Sequence, residues 1–195
     1  MLVAWLCFLR RQAVLCLPAK QAVTVKSMPI DTLTTIEITK EDLKFSAAHF
    51  TIFSATERER LHGHNFKVSL DITAEVGDNG MCFSYVEIKQ RLRKLVAQYD
   101  EYLVLPALSP YLVITEEGAN YRVEFNGEVM HFLRADTLLL PIRNSTVEEF
   151  ARLLLERLLE DSAFIQGNGV QSLIMKVSSG PGQSGSATWR HSVGD

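Results

Sequence analysis

Cysteine is scarce: Cys7, Cys16 and Cys82 are the only three, and none stands in a CxxC pair. That scarcity argues against a disulfide framework and a thiolate metal centre, and makes a reducing, cytoplasmic compartment the expectation. A surplus of one charge is also missing. Lys and Arg number 20 against 23 Asp and Glu, a net charge of −3, so neither nucleic acid nor an anionic membrane is an electrostatically favoured partner. Long apolar runs are absent too. The apolar stretch from Met1 to Leu17 is interrupted by Arg10-Arg11, short of the roughly 18–20 residues of a membrane span. Its positive charges follow the apolar run, whereas a signal peptide carries them first. No internal repeat or coiled-coil heptad is found.

What remains is ordinary for a globular chain: 47% hydrophobic and 22% charged residues over a length of 195, enough to bury a real core in one domain. Residues 1–27 read as an N-terminal extension, dispensable if translation starts at Met28, with a targeting peptide as the alternative. Residues 28–195 read as the domain.

Period-2 alternation marks the strands. Ile36 and Ile38 share a face, and after Lys40-Glu41-Asp42 the alternation resumes in Leu43, Phe45, Ala47 and His49, a strand with a bulge or bend. Thr51 to Arg60 is polar and reads as a loop. From His64 to Val76, Phe66, Val68, Leu70, Ile72 and Ala74 alternate with polar residues. Ser84-Tyr85-Val86-Glu87 has a capping-box pattern, followed by helical spacing through Val86, Leu92, Leu95, Val96 and Tyr99. Leu103 to Pro110 reads as a connection. Asn126-Gly127 between alternating runs predicts a hairpin. A second capping box, Ser145-Thr146-Val147-Glu148, opens a helix with Phe150, Ala151, Leu154, Leu155 and Leu158 on one stripe. Val170 to Val177 reads as a last strand, and Ser178 to Ser186 as a Gly/Ser-rich segment. The order predicts an α+β domain with two helices on one face of an antiparallel sheet.

Within that frame, His62-Gly63-His64 is the stretch that carries chemistry. Residues two apart on a strand point the same way, with Cα atoms roughly 6–7 Å apart. Two such imidazoles suit one metal ion, and His49 on a neighbouring strand would make a three-His site with an open fourth position, the pattern of a catalytic zinc. An HxH pair alone also fits cupin barrels. His131 and His191 read as solvent-exposed, and Cys82 as core.

Phe45-Ser46-Ala47-Ala48-His49 followed by Leu61-His62-Gly63-His64-Asn65-Phe66-Lys67-Val68 resembles the 6-pyruvoyl-tetrahydropterin synthase family, which includes 6-carboxy-tetrahydropterin synthase. The resemblance covers about residues 34 to 190. It implies the tunnelling (T) fold, in which subunits join their sheets into barrels, commonly as hexamers with active sites between subunits. It also implies zinc on His49, His62 and His64 and a small-molecule, dihydroneopterin triphosphate-like substrate.

The departures sharpen the expectation. The synthases carry a catalytic cysteine four residues before the HGH motif, and that position here is Arg58. Glu59 instead gives Glu-x-x-His-Gly-His, similar to the branch in which a glutamate replaces the cysteine and 6-hydroxymethyl-dihydropterin is the product. A carboxylate there fits a general base. The family's Asp-His pair aligns with Asp100-Glu101, so Asp100 is retained as a catalytic candidate and the histidine is lost. Thr146 and Glu148 match pterin-contacting positions, although Glu148 also fits a purely structural capping role. The glutamate that anchors the pterin is replaced, with Ser178 placed at its position. Two classes of function follow. One is a zinc-dependent lyase or synthase-like enzyme of pterin metabolism. The other is a catalytically altered or inactive zinc-binding paralogue with a different heterocyclic ligand; a 6-carboxy-tetrahydropterin synthase is the further alternative.

Overall fold

A computed structural model describes residues 32–191; the expected extension at residues 1–27 lies outside them. Two long strands form the centre. β1 (Leu33–His49) pairs antiparallel with β2 (His62–Glu75), with Phe45 opposite Phe66 and His49 opposite His62. The register shifts between Thr39 and Lys44, where the bulge or bend was expected. β2 in turn pairs antiparallel with β8 (Val170–Gly180), and β8 with β9 (Gln183–Arg190).

On the other side of β1 the sheet departs from the antiparallel expectation. β3 (Tyr102–Pro106) runs parallel to β1, and β7 (Thr137–Leu140) runs parallel to β3, giving a mixed six-stranded sheet of order β7-β3-β1-β2-β8-β9. The start of β3 is tied to β1 by backbone geometry. The Glu101 N–H donates to the Ser46 carbonyl at 2.7 Å, and the Ser46 N–H donates to Asp100 Oδ1 at 2.7 Å. Glu101 takes a left-handed φ of 65° to do so, a conformation that disfavours residues with a Cβ.

Two helices supply one apolar layer. α1 (Tyr85–Val96) buries Ile88, Leu92, Leu95 and Val96, while Val86, expected on the stripe, is exposed. α2 (Val147–Leu159) buries Phe150, Ala151, Leu153, Leu154, Leu155 and Leu158. Both sets join one cluster with the inward residues of β1, β2 and β8, such as Phe45, Leu70 and Met175. Alternation puts Lys67, Ser69, Asp71 and Thr73 on the opposite face. A short helix, α3 (Ser162–Gly167), follows α2.

A second sheet was only partly anticipated. β4 (Val113–Glu117), β5 (Asn120–Phe125) and β6 (Glu128–Leu133) form a three-stranded meander, and the predicted Asn126-Gly127 turn closes β5 on β6. Asn126 and Gly127 have φ of 47° and 78°, the left-handed pair a type I′ turn needs. Val123 and Phe125 pack with Phe50, Ile52 and Leu105 in a separate small cluster.

Candidate metal centre and pocket

The imidazoles of His49, His62 and His64 converge. Ring centroids are 4.7 Å apart for His49–His62, 4.8 Å for His62–His64 and 5.4 Å for His49–His64. One ring nitrogen from each lies within 4.8 Å of the others. The pairing of β1 with β2 brings this about, because inward-facing His49 stands directly across from His62. The rings rest on an aromatic floor. Phe66 meets His49 edge-on at 5.2 Å and His64 at 5.9 Å, and packs against Phe45 at 5.1 Å and Phe150 at 4.8 Å.

Backbone carbonyls set two of the tautomers. His49 Nδ1 is 2.9 Å from the Ser145 carbonyl oxygen, and His62 Nδ1 is 2.8 Å from that of Arg60. A carbonyl only accepts, so each Nδ1 carries a proton and Nε2 is the nitrogen that a neutral ring offers as ligand, the arrangement metal-ligating histidines adopt. Burial, and then the neighbouring His62 imidazole, push the His49 pKa down to about 4, so its ring is neutral at pH 7. His49 Nε2 is buried without a hydrogen-bond partner, which in an apolar setting costs about 1–3 kcal/mol. A three-nitrogen donor set with one orphaned buried lone pair fits a divalent cation of the zinc type.

Glu59 stands beside this group. Its Oε2 lies 3.9 Å from His62 Nε2 and accepts from the Thr51 N–H at 3.0 Å. Burial opposes its charge, but the Thr51 hydrogen bond and the His62 and His49 imidazoles outweigh this and hold the carboxyl below the usual carboxylate range. The loop expected from Thr51 to Arg60 closes on itself. Ile52 bridges Arg58, the Glu59 N–H donates to the Thr51 carbonyl at 2.8 Å, and Phe50 and Ile52 are buried. Asn144 ties this loop to the start of α2: its Oδ1 accepts from the Ile52 N–H at 3.0 Å and its Nδ2 donates to the Ile52 carbonyl at 2.8 Å.

A pocket of about 250 Å³ opens over the imidazoles, lined also by Phe53, Glu59, Thr146, Glu148, Ser179 and Gln183. Thr146 is the N-cap of α2, its Oγ1 accepting from the Glu149 N–H at 3.5 Å. The capping frame is therefore one residue later than predicted. Glu149, not Glu148, takes the third helical position, and its carboxylate accepts from the Arg143 backbone N–H at 2.8 Å and from the Arg143 and Arg152 guanidinium groups. Burial works against that charge, yet the Arg143 and Arg152 hydrogen bonds pull the Glu149 pKa down to about 2. Glu148 is released from the cap and exposed at the pocket.

Ser178 lines a different depression, with Lys40, Lys67 and Lys176; the next residue, Ser179, and Gln183 line the histidine pocket. Asp100 does not line that pocket in this chain and holds the Ser46 N–H instead. The predicted Gly/Ser-rich tail is the β8–β9 hairpin. At Gly185 a Cβ would come within 2.7 Å of the Glu148 nitrogen, so only glycine lets β9 approach the first turn of α2. His131 and His191 are exposed, as expected, and Cys82 is half-buried against the core.

A family model described as 6-pyruvoyl tetrahydropterin synthase matches residues 37–186. The chain belongs to this family. Curated relatives include two proteins named putative 6-carboxy-5,6,7,8-tetrahydropterin synthase. The one from Archaeoglobus fulgidus is 38% identical over 88 residues, covering 40% of this chain and 76% of the relative. The one from Pyrococcus abyssi is 28% identical over 135 residues, covering 69% and 78%. Among solved structures, 6-pyruvoyl tetrahydropterin synthase of Plasmodium vivax superposes with a TM-score of 0.79 at 28% identity, covering 83% of this chain and 100% of that one. A variant of the same P. vivax enzyme, with a catalytic glutamate replaced by alanine, superposes equally well. The fold is that of the 6-pyruvoyl tetrahydropterin synthase family, α+β with a mixed sheet. Among the described residues no helix is long and apolar enough to cross a membrane.

Proposed function

We propose that this family member is a zinc-dependent lyase that cleaves the side chain of a reduced pterin such as 7,8-dihydroneopterin triphosphate, giving 6-hydroxymethyl-dihydropterin. The observation that carries the reading is Glu59, held by the Thr51 N–H and 3.9 Å from His62 Nε2, beside three imidazoles that offer lone pairs to one point. His49, His62 and His64 would hold the ion, which as a Lewis acid supplies acidity to the substrate's side-chain hydroxyls. Glu59 takes the proton from the hydroxyl on the second side-chain carbon. That C–O becomes a carbonyl as the bond between the first and second side-chain carbons breaks. The electron pair is delocalised into the ring's conjugated C=N, and a proton is returned to the first side-chain carbon. An aldehyde leaves with the triphosphate, and no net oxidation occurs.

Around that centre, Phe53 and Phe66 offer apolar surface to the ring, and Thr146, Glu148, Ser179 and Gln183 offer hydrogen bonds to its edge. Asp100 does not line the histidine pocket of its own chain, so its catalytic use there requires a neighbouring copy. Assembly into a homo-oligomer, with β7 and β9 as the free edges of the six-stranded sheet, would supply one. The P. vivax relative, whose named catalytic residue is a glutamate, supports a carboxylate base. The two archaeal relatives favour a second reading, 6-carboxy-tetrahydropterin synthase activity on the same class of substrate.

Metal analysis paired with product identification tests the proposal. Wild-type protein should bind close to one zinc per chain, and His62→Ala should lose it. Incubation with 7,8-dihydroneopterin triphosphate should yield 6-hydroxymethyl-dihydropterin. The 6-carboxy product would transfer the assignment to the second reading. Zinc retained in His62→Ala would refute the ligand set.

A further inference from the structure

Arg58 immediately precedes Glu59, and most of its bonding is directed away from the pocket. Its guanidinium carbon lies 5.2 Å from the centroid of the Phe50 ring and 5.6 Å from that of Phe125. Nη2 donates to Glu128 on β6 at 3.1 Å, and Nη1 donates to the Glu59 carbonyl oxygen at 3.0 Å. The Arg58 side chain is only 18% exposed, against 69% for Glu128. An exposed ion pair alone holds a long side chain only weakly. A shielded guanidinium lying against two rings adds a cation–π contact and orients the planar group.

These contacts join two parts of the molecule. Phe50, Ile52 and Phe125 form the cluster beneath the small sheet, and Arg58 spans from that cluster to the backbone of the residue whose carboxylate faces the imidazoles. The Ile52–Arg58 bridge and the paired Thr51 and Glu59 backbones then transmit the position of Arg58 to the carboxylate, which the Thr51 N–H receives at 3.0 Å. We infer that Arg58 is a positioning residue: through it the β4–β6 sheet sets where the Glu59 carboxylate stands relative to the three histidines. The catalytic half of this inference rests on the proposed role of Glu59; the structural half stands without it.

The test uses zinc-replete full-length protein and two readouts, amide hydrogen exchange and steady-state kinetics with 7,8-dihydroneopterin triphosphate. In Arg58→Ala, the Thr51 and Glu59 amides should exchange at least about tenfold faster, while Phe66 and Val68 on β2 keep their protection. The kcat should fall by about 10²-fold, the scale of a roughly 1 Å misplacement, with KM within about twofold and zinc content unchanged. Arg58→Lys keeps the charge but loses the planar fork, so it should resemble the alanine variant. Phe125→Leu removes ring contact without substituting a loop residue, should shift both readouts in the same direction by less, and serves if Arg58→Ala does not fold. Wild-type protection of Thr51 and Glu59 in Arg58→Ala would overturn the inference. So would a rise in KM at constant kcat, or full rescue by lysine. If wild-type protein turns over no reduced pterin, the proposed function falls and the exchange data alone decide the role of Arg58.

Discussion

The core behind the six-stranded sheet and the small cluster beneath β4–β6 serve the same pocket in different ways. The large core holds the proposed ligands: Phe66 meets His49 and His64 edge-on and packs in turn against Phe45 and Phe150, and the β1–β2 register puts His49 across from His62. The small cluster contains none of the three imidazoles and instead holds the loop that carries Glu59. The proposed metal ligands and the proposed base therefore draw on separate packing, joined where Asn144 bonds Ile52, where Ser145 receives His49 and where Glu59 meets His62. A chain can lose one function and keep the other, as a zinc-binding paralogue without turnover would.

Substitutions in each cluster should separate the two. Phe66→Ala should show the largest loss, about 3–5 kcal/mol of global stability by denaturant unfolding, together with weaker zinc retention. Phe125→Leu should cost no more than about 1.5 kcal/mol, leave zinc stoichiometry intact and lower turnover. Equal zinc loss in both variants would erase the distinction.

The seam between the clusters answers to pH. Glu149 has a folded pKa of about 2 against an ordinary 4.5. Its contribution is thus fully present above about pH 4.5 and is lost as pH falls through 2. Arg143 and Arg152 are 71% and 39% exposed, so after allowance for screening the contribution is about 1–3 kcal/mol. Glu149→Gln should be less stable than wild type by that amount at pH 7, with the two denaturation curves converging as pH approaches 2. A gap that persists at pH 2 would remove the charge from the account. The helix caps give the smallest effects. Thr146→Ala should cost about 0.5–1 kcal/mol, since its cap bond is long, and Ser84→Ala within about 0.5 kcal/mol, since Ser84 makes no side-chain cap bond.

The large core was legible in the sequence because its signals are local. Alternation along β2, the bulged β1, the α2 stripe and the Asn126-Gly127 turn all appear where predicted. The small cluster was not, because its contacts are distant in sequence: Arg58 meets Glu128 and Phe125, and Asn144 meets Ile52. Parallel pairing of β3 and β7 was hidden for the same reason: β3 lies largely in the Leu103 to Pro110 stretch that reads as connection, and β7 is only four residues long. Errors of one residue mattered most at the site. Shifting the α2 cap by one residue gave Glu148 a capping alternative that Glu149 fills, and Ser178 and Ser179 open on different depressions, since neighbouring strand residues point oppositely. Within the Gly/Ser-rich segment, Gly185 is required for close approach to α2.

The comparison reduces to whether the ligands and the base are separable. Glu59→Gln, assayed beside wild type for zinc stoichiometry and for product from 7,8-dihydroneopterin triphosphate, measures this directly. Full zinc occupancy with product lost is the expected result. Product formed by Glu59→Gln at the wild-type rate would contradict the account.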